Sequence, residues 1–126
     1  MPGKTPNGRL SILLVEDHAD TAGALSAFLA GEGHLVSMAA SVSEAVKCVV
    51  GQKFDLIISD VGLPDGNGVS LMHGIRAFCE TPAIALTGFG TDDDAKRCLR
   101  AGFSLHLSKP VPPKKLLEAI ETALRP

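Results

Sequence analysis

The chain has no tryptophan and no tyrosine, and five phenylalanines are all it offers in their place across 126 residues. Ring-stacking platforms for nucleic-acid bases, or a flavin sandwich, have little to be built from. Cysteine is also sparse. Cys48, Cys79 and Cys98 form an odd set at wide spacing with no C-x-x-C, which argues against a disulfide framework or a zinc knuckle. Reduced, half-buried helix thiols are expected instead. The histidines His18, His34, His73 and His106 lack ligand spacing, and each alone is expected to serve packing or the surface. No apolar run reaches the ~18–20 residues that a membrane helix requires, and the start carries no apolar signal-peptide core. A cytoplasmic chain without membrane contact is expected. With 12 basic and 14 acidic residues and no basic stripe, direct nucleic-acid binding by this segment has no support. Internal repeats and low-complexity tracts are absent.

What is present is a well-supplied core: 45% of the residues are hydrophobic and 21% charged, the balance of one globular domain. The most informative stretch is Phe54-Asp55-Leu56-Ile57-Ile58-Ser59-Asp60, followed by Val61-Gly62-Leu63-Pro64-Asp65-Gly66-Asn67-Gly68. A short apolar run that ends in an acid and breaks into Gly, Pro, Asp and Asn reads as a buried parallel strand feeding a turn. Asp60 then sits at a strand's carboxyl end, where open α/β sheets gather ligands. Alone, such an Asp is as often a helix cap or turn former, because its carboxylate bonds nearby backbone N–H groups.

The same pattern recurs along the chain. Residues 1–8, rich in Pro, Gly and Asn, read as a flexible leader or linker remnant, and 9–126 as the domain. Residues 10–15 form an apolar strand that runs into Glu16 and Asp17. A helix follows from about Asp20 to Gly31, with Gly33 as its stop. Residues 34–39, less uniformly apolar, read as an edge strand. Ser41 and Glu44 predict a capping box opening a helix that ends near Gly51. After the strand to Asp60, Val69, Leu71, Met72 and Ile75 mark a third helix. Residues 83–87 form a fourth strand ending in Thr87. Thr91 caps a helix whose first turn is Asp92-Asp93-Asp94, a solvated start favoured by the helix dipole, and Gly102 ends it. Residues 103–108 form a fifth strand leading to Lys109. Pro112 and Pro113 open a last helix with Leu116, Leu117, Ile120 and Leu124 on one face. Five alternations of strand and helix imply a single parallel sheet with helices on both faces.

In a parallel sheet all carboxyl ends lie on one edge, so Glu16, Asp17, Asp60, Thr87 and Lys109 converge. Three crowded carboxylates repel unless a cation sits among them, and an all-oxygen donor set suits magnesium. A carboxylate beside such an ion can also serve as a nucleophile and form an aspartyl phosphate. The metal, a lysine and a hydroxyl would share the charge of the phosphoryl oxygens.

Val15-Glu16-Asp17, Asp60 with Leu63-Pro64-Asp65-Gly66-Asn67-Gly68, Leu86-Thr87-Gly88 and Lys109-Pro110 closely resemble the receiver domain of two-component response regulators, over about residues 10–125. The resemblance implies a flavodoxin-like (βα)5 fold, doubly wound, with sheet order 2-1-3-4-5. It also implies roles. Asp60 is the phosphoacceptor, supplied by a histidine kinase or a histidine phosphotransfer domain. Asp17, Asp60 and the Gly62 carbonyl ligate Mg2+, with Mn2+ as a second candidate ion, and Glu16 acts through a bound water. Lys109, Thr87 and the Gly88 N–H bond phosphoryl oxygens. Lys109-Pro110 is a cis peptide, which proline tolerates. Thr87 and His106 form the switch, although Tyr or Phe is the usual occupant of the His106 position. Gly62 and Phe89 flank the route of attacking water, and slow to moderate dephosphorylation is expected. Self-catalysed phosphorylation and dephosphorylation are the only enzyme-like activities implied.

Two runs, 85–90 and 106–111, look more like receivers attached to hybrid sensor histidine kinases than like those of transcription factors. Further partners implied are an output domain in the same or another chain, and a second copy docked weakly through the fourth helix, fifth strand and fifth helix. A stand-alone receiver and a segment of a larger protein both stay open. The alternative within the family is a phosphate sink, or a degenerate receiver used for protein contacts; the complete acidic, hydroxyl and lysine set argues against the degenerate form. A flavodoxin-type nucleotide binder lacks its phosphate loop here. An aspartate phosphatase would need a second Asp close behind Asp60 and a cap domain, neither of which is found.

Overall fold

In the computed structural model, residues 9–88 and 92–125 are described, with backbone only for 92–95. The leader 1–8, Phe89 and the Thr91 cap lie outside the described residues, as do the side chains of Asp92, Asp93 and Asp94. Five parallel strands form the sheet: β1 (Ser11–Val15), β2 (Leu35–Ala39), β3 (Leu56–Asp60), β4 (Ala83–Thr87) and β5 (Leu105–Ser108). Their order is β2-β1-β3-β4-β5, the expected 2-1-3-4-5. Five helices connect or close them: α1 (Ala19–Gly31), α2 (Val42–Gly51), α3 (Gly68–Ile75), α4 (Asp92–Ala101) and α5 (Pro113–Leu124).

The strand sequences dictate their places. Every residue of β3 and of β4 is buried, so these strands are covered on both faces, as their unbroken apolar runs require. β2 mixes exposed Leu35 and Met38 with inward residues and occupies an edge. Side chains alternate across the sheet. Leu13, Val15, Ile57, Ala83 and Ala85 meet Ala45, Leu71, Met72, Ile75 and Phe103 on one face. Ile12, Leu14, Leu56, Ile58, Ile84 and Leu86 meet Leu29, Leu116, Ala119 and Ile120 on the other. Each such fully buried aliphatic side chain stabilises the fold by about 1.5–3 kcal/mol. On α5, Ala119 is buried with Leu116 and Ile120 in the inward place expected of Leu117, which is half-buried.

Helix ends follow local chemistry except where a distant partner competes. Gly33 and Gly102 carry φ of 95° and 120° and end α1 and α4, conformations a residue with Cβ resists. At α2, Ser41 Oγ accepts from the Glu44 amide at 3.1 Å, but the Glu44 carboxylate takes the Ala40 amide at 3.2 Å instead of that of Ser41. The next two amides, of Val42 and Ser43, donate to Asp65 at 2.8 and 3.0 Å. The α2 cap is thus completed by a residue 22 to 23 positions downstream. The reciprocal capping box sits on α3 instead, where Asn67 and Ser70 each accept from the other's amide. Cys79, expected on a helix, lies beyond the end of α3, and Cys98 is buried rather than half-buried.

Arg76, at the end of α3, ties three segments together. Its guanidinium donates to the carbonyls of Cys79 (3.2 Å), Thr81 (2.7 Å) and Gly102 (3.1 Å). Those bonds hold the start of β4 and the α4–β5 turn against α3. Arg76→Ala is expected to lower unfolding stability by about 2 kcal/mol while preserving the fold, since charge-assisted bonds are lost from partly exposed groups. A lower urea midpoint with an unchanged denaturant slope is the measurement that checks it.

Candidate functional site

The strand registers bring the chemistry to one line. Val15 pairs with Ser59, Asp60 with Leu86, and Thr87 with Ser108, so the residues at or just past four strand ends share one edge. Glu16 and Asp17 leave β1, Asp60 is the last residue of β3, Thr87 the last of β4, and Lys109 follows β5. The convergence expected of Glu16, Asp17, Asp60 and Lys109 is what the side chains show.

Lys109 Nζ stands between two acids, 2.8 Å from Glu16 Oε1 and 2.9 Å from Asp60 Oδ2. The Glu16 side chain is 0% exposed and that of Asp60 10%, whereas Asp17 is 30% exposed. The two buried charges therefore share one ammonium at the floor, and Asp17 is the more exposed of the three acids. Burial opposes the Lys109 charge, but hydrogen bonds and charge from Glu16 and Asp60 outweigh it and hold its pKa above the ordinary lysine value. Glu16 Oε2 is occupied as well, by the His18 amide at 3.2 Å and by His18 Nδ1 at 3.3 Å.

Gly62 is placed by its N–H, which donates to Asp60 Oδ1 at 3.1 Å. The bond pins the Asp60 carboxylate to the loop that follows it. Gly62 and Leu63 pair with Gly66 and Asn67 in a small hairpin, and Asp65 at its tip reaches the α2 amides already described. Those two amide bonds hold the exposed Asp65 carboxyl below its usual pKa. Thr87, 1% exposed, donates its hydroxyl to the Leu107 carbonyl at 3.4 Å, so here it bonds β5 and not Asp60. Gly88 follows at the exposed edge. His106 pairs with Ala85, and because Leu105 and Leu107 pack on the α1 and α5 face, alternation places His106 on the α4 side. The Lys109-Pro110 bond is cis, as expected.

One donor atom each from Glu16, Asp17, His18 and Asp60 lies within 4.8 Å of the others. Three carboxylates and one imidazole within that span fit a divalent cation, since a single ammonium covers only two of the acids. His18 is the residue that the search for ligand spacing missed. Its signal was adjacency: it follows the Glu16-Asp17 pair directly, which matters once that pair is recognised as part of a site. Asp65 and Arg76 were also missed, because their partners are backbone groups of distant segments.

Comparison with known proteins accords with this geometry. Residues 12–121 match the response regulator receiver domain family. The response regulator protein PilR of Pseudomonas aeruginosa is 35% identical over 118 residues, covering 93% of this chain and 26% of PilR. Among the curated regulators it matches, the chain spans about half of the length or less in most cases. A two-component response regulator from Clostridium difficile superposes with a TM-score of 0.87 at 28% identity, over 91% of this chain and 95% of that one. The receiver domain of the Pseudomonas aeruginosa sensor histidine kinase PA1611, solved with magnesium in its active site cleft, gives 0.84 at 32% identity, over 91% and 97%. On sequence and on fold alike, the chain belongs to the response regulator receiver domain family.

Proposed function

We propose that the chain is the phosphoacceptor of a magnesium-dependent phosphorelay, with Asp60 taking a phosphoryl group from a phosphohistidine on a histidine kinase or phosphotransfer domain. The observation that carries this reading is the Lys109 ammonium held within hydrogen-bond reach of Asp60 at a mostly buried strand end. An Asp60 oxygen attacks phosphorus as the P–N bond breaks, and the bond's electron pair leaves on the donor imidazole. Lys109 is already in place for the charge on the phosphoryl oxygens, and Thr87 and the Gly88 amide supply further donors at the same edge. Asp17, Asp60 and the Gly62 carbonyl would hold Mg2+, with Glu16 acting through water. When bound, the ion neutralises charge between the acceptor and the phosphoryl group.

The rest of the reading follows from the surroundings. Asp20, Thr21, Ala24 and Leu25 of α1 form a groove with Leu86, Lys109, Pro110 and Val111, open beside the acceptor and suited to a docking donor helix. Phosphorylation would draw the Thr87 hydroxyl from Leu107 toward Asp60. His106, on the same side as α4, would transmit that change to the α4, β5 and α5 face used by an output domain or a second copy. Attachment to a hybrid sensor kinase in the cytoplasm is the favoured context, supported by the likeness to the PA1611 receiver.

Three outcomes test the proposal. Acetyl phosphate with Mg2+ phosphorylates the wild type, and Asp60→Asn or chelation abolishes the modification in intact-protein mass spectrometry; modification of the Asn variant would sink the assignment. Gly62 has open space around it and offers no side chain to guide water, so the phosphoryl group is expected to persist for minutes after the donor is removed. Release within seconds would count against that. Lys109→Met leaves the buried Glu16 and Asp60 carboxylates repelling each other without a counter-charge and should lower stability by roughly 3 kcal/mol. Mg2+ should then raise the melting temperature of this variant more than that of the wild type.

A further inference from the structure

His18 brings a nitrogen to a site otherwise made of oxygens, and the proposed relay makes no use of it. Its Nδ1 lies 3.3 Å from Glu16 Oε2 and 3.5 Å from Asp17 Oδ1. His18 is the N-cap residue of α1, a position whose side chain ordinarily accepts a bond from the first helical amides. Here the side chain makes no cap bond and turns to the acids instead. With 72% of the side chain exposed beside a fully buried Glu16, the ring stands at the mouth of the site. Lys109 occupies the other Glu16 oxygen, Oε1, and Asp60 Oδ2, so the ammonium and the imidazole bind opposite sides of the acid cluster.

That arrangement has a consequence for metal choice. Magnesium prefers hard oxygen donors and gains little from imidazole, whereas Co2+, Ni2+ and Zn2+ bind imidazole well and rise above Mn2+ in general affinity. The exposed ring can carry its N–H on Nε2, which leaves the Nδ1 lone pair for the ion. We propose that His18 makes this acid cluster a mixed nitrogen and oxygen centre that takes a first-row transition ion, such as Ni2+ or Co2+, more tightly than Mg2+, with Nδ1 as a direct ligand. Such an ion competes with Mg2+ at the acceptor. The inference rests on the cation site read above, and Asp17 and Asp60 supply the remaining donors.

The test uses the metals alone and the variant His18→Asn, which keeps a good N-cap residue while removing the imidazole. Binding of Ni2+ and of Mg2+ to the apoprotein is measured by calorimetry, and Ni2+ is located by paramagnetic broadening of amide signals. Wild type is expected to bind Ni2+ more tightly than Mg2+, with broadening centred on residues 16–18 and 60–62. His18→Asn should weaken Ni2+ by about tenfold or more, the scale of effect that groups around a metal site exert, and leave Mg2+ unchanged. An unchanged Ni2+ to Mg2+ affinity ratio in His18→Asn overturns the proposal, as does broadening centred on His34, His73 or His106. Wild type that binds neither ion overturns this inference and the magnesium reading together. Ni2+ binding through His18 without measurable Mg2+ binding supports the inference and removes only the magnesium reading.

Discussion

The constraint on which the site depends is the crowding of carboxylates at the end of a hydrophobic sheet. Glu16 and Asp60 are buried where water cannot screen them, and their mutual repulsion has to be offset locally. The Lys109 ammonium does this by bonding both, at 2.8 and 2.9 Å. Its raised pKa expresses the same attraction from the cation's side. One positive charge among three acids leaves a net negative site with an exposed Asp17 at its mouth. A divalent cation complements such a site.

Everything else in the fold places those charges. The parallel registers set Val15 beside Ser59, Asp60 beside Leu86 and Thr87 beside Ser108, so four loops begin at one edge. The two apolar layers on either side of the sheet hold that edge still, since β3 and β4 have no exposed residue through which they could relax. The loop after Asp60 is secured twice, by the Gly62 amide on the Asp60 carboxylate and by Asp65 on the first amides of α2. The loop that follows Asp60 is therefore joined to a helix on the face opposite α1. The Thr87 hydroxyl, by contrast, donates a long 3.4 Å bond to the Leu107 carbonyl, a weak tether.

Much of this was legible in the order of residue types. The apolar runs that end in Glu16, Asp60, Thr87 and Lys109 mark strands by length and composition, and alternation with helix-length connections leaves the parallel arrangement as the consistent outcome. The edge position of β2 could be read from its mixed polarity. Local patterns failed where a distant partner competed: Ser41 and Glu44 have the spacing of a capping box, yet Asp65 takes the amides of Val42 and Ser43 and Glu44 turns to Ala40. Arg76 looks like any helix-end cation until the carbonyls of Thr81 and Gly102 are brought beside it.

The sequence by itself determined which residues stand at strand ends, because burial and strand period are properties of short stretches, and it thereby named Glu16, Asp17, Asp60, Thr87 and Lys109 together. Only the tertiary structure decided where their side chains go. Whether Lys109 bridges Glu16 and Asp60, whether Thr87 bonds β5, and whether His18 caps its helix or turns to the acids depend on charges and carbonyls delivered by other segments. Those choices are set by electrostatics across the sheet edge, between groups up to 93 residues apart in the chain, and no local pattern encodes them.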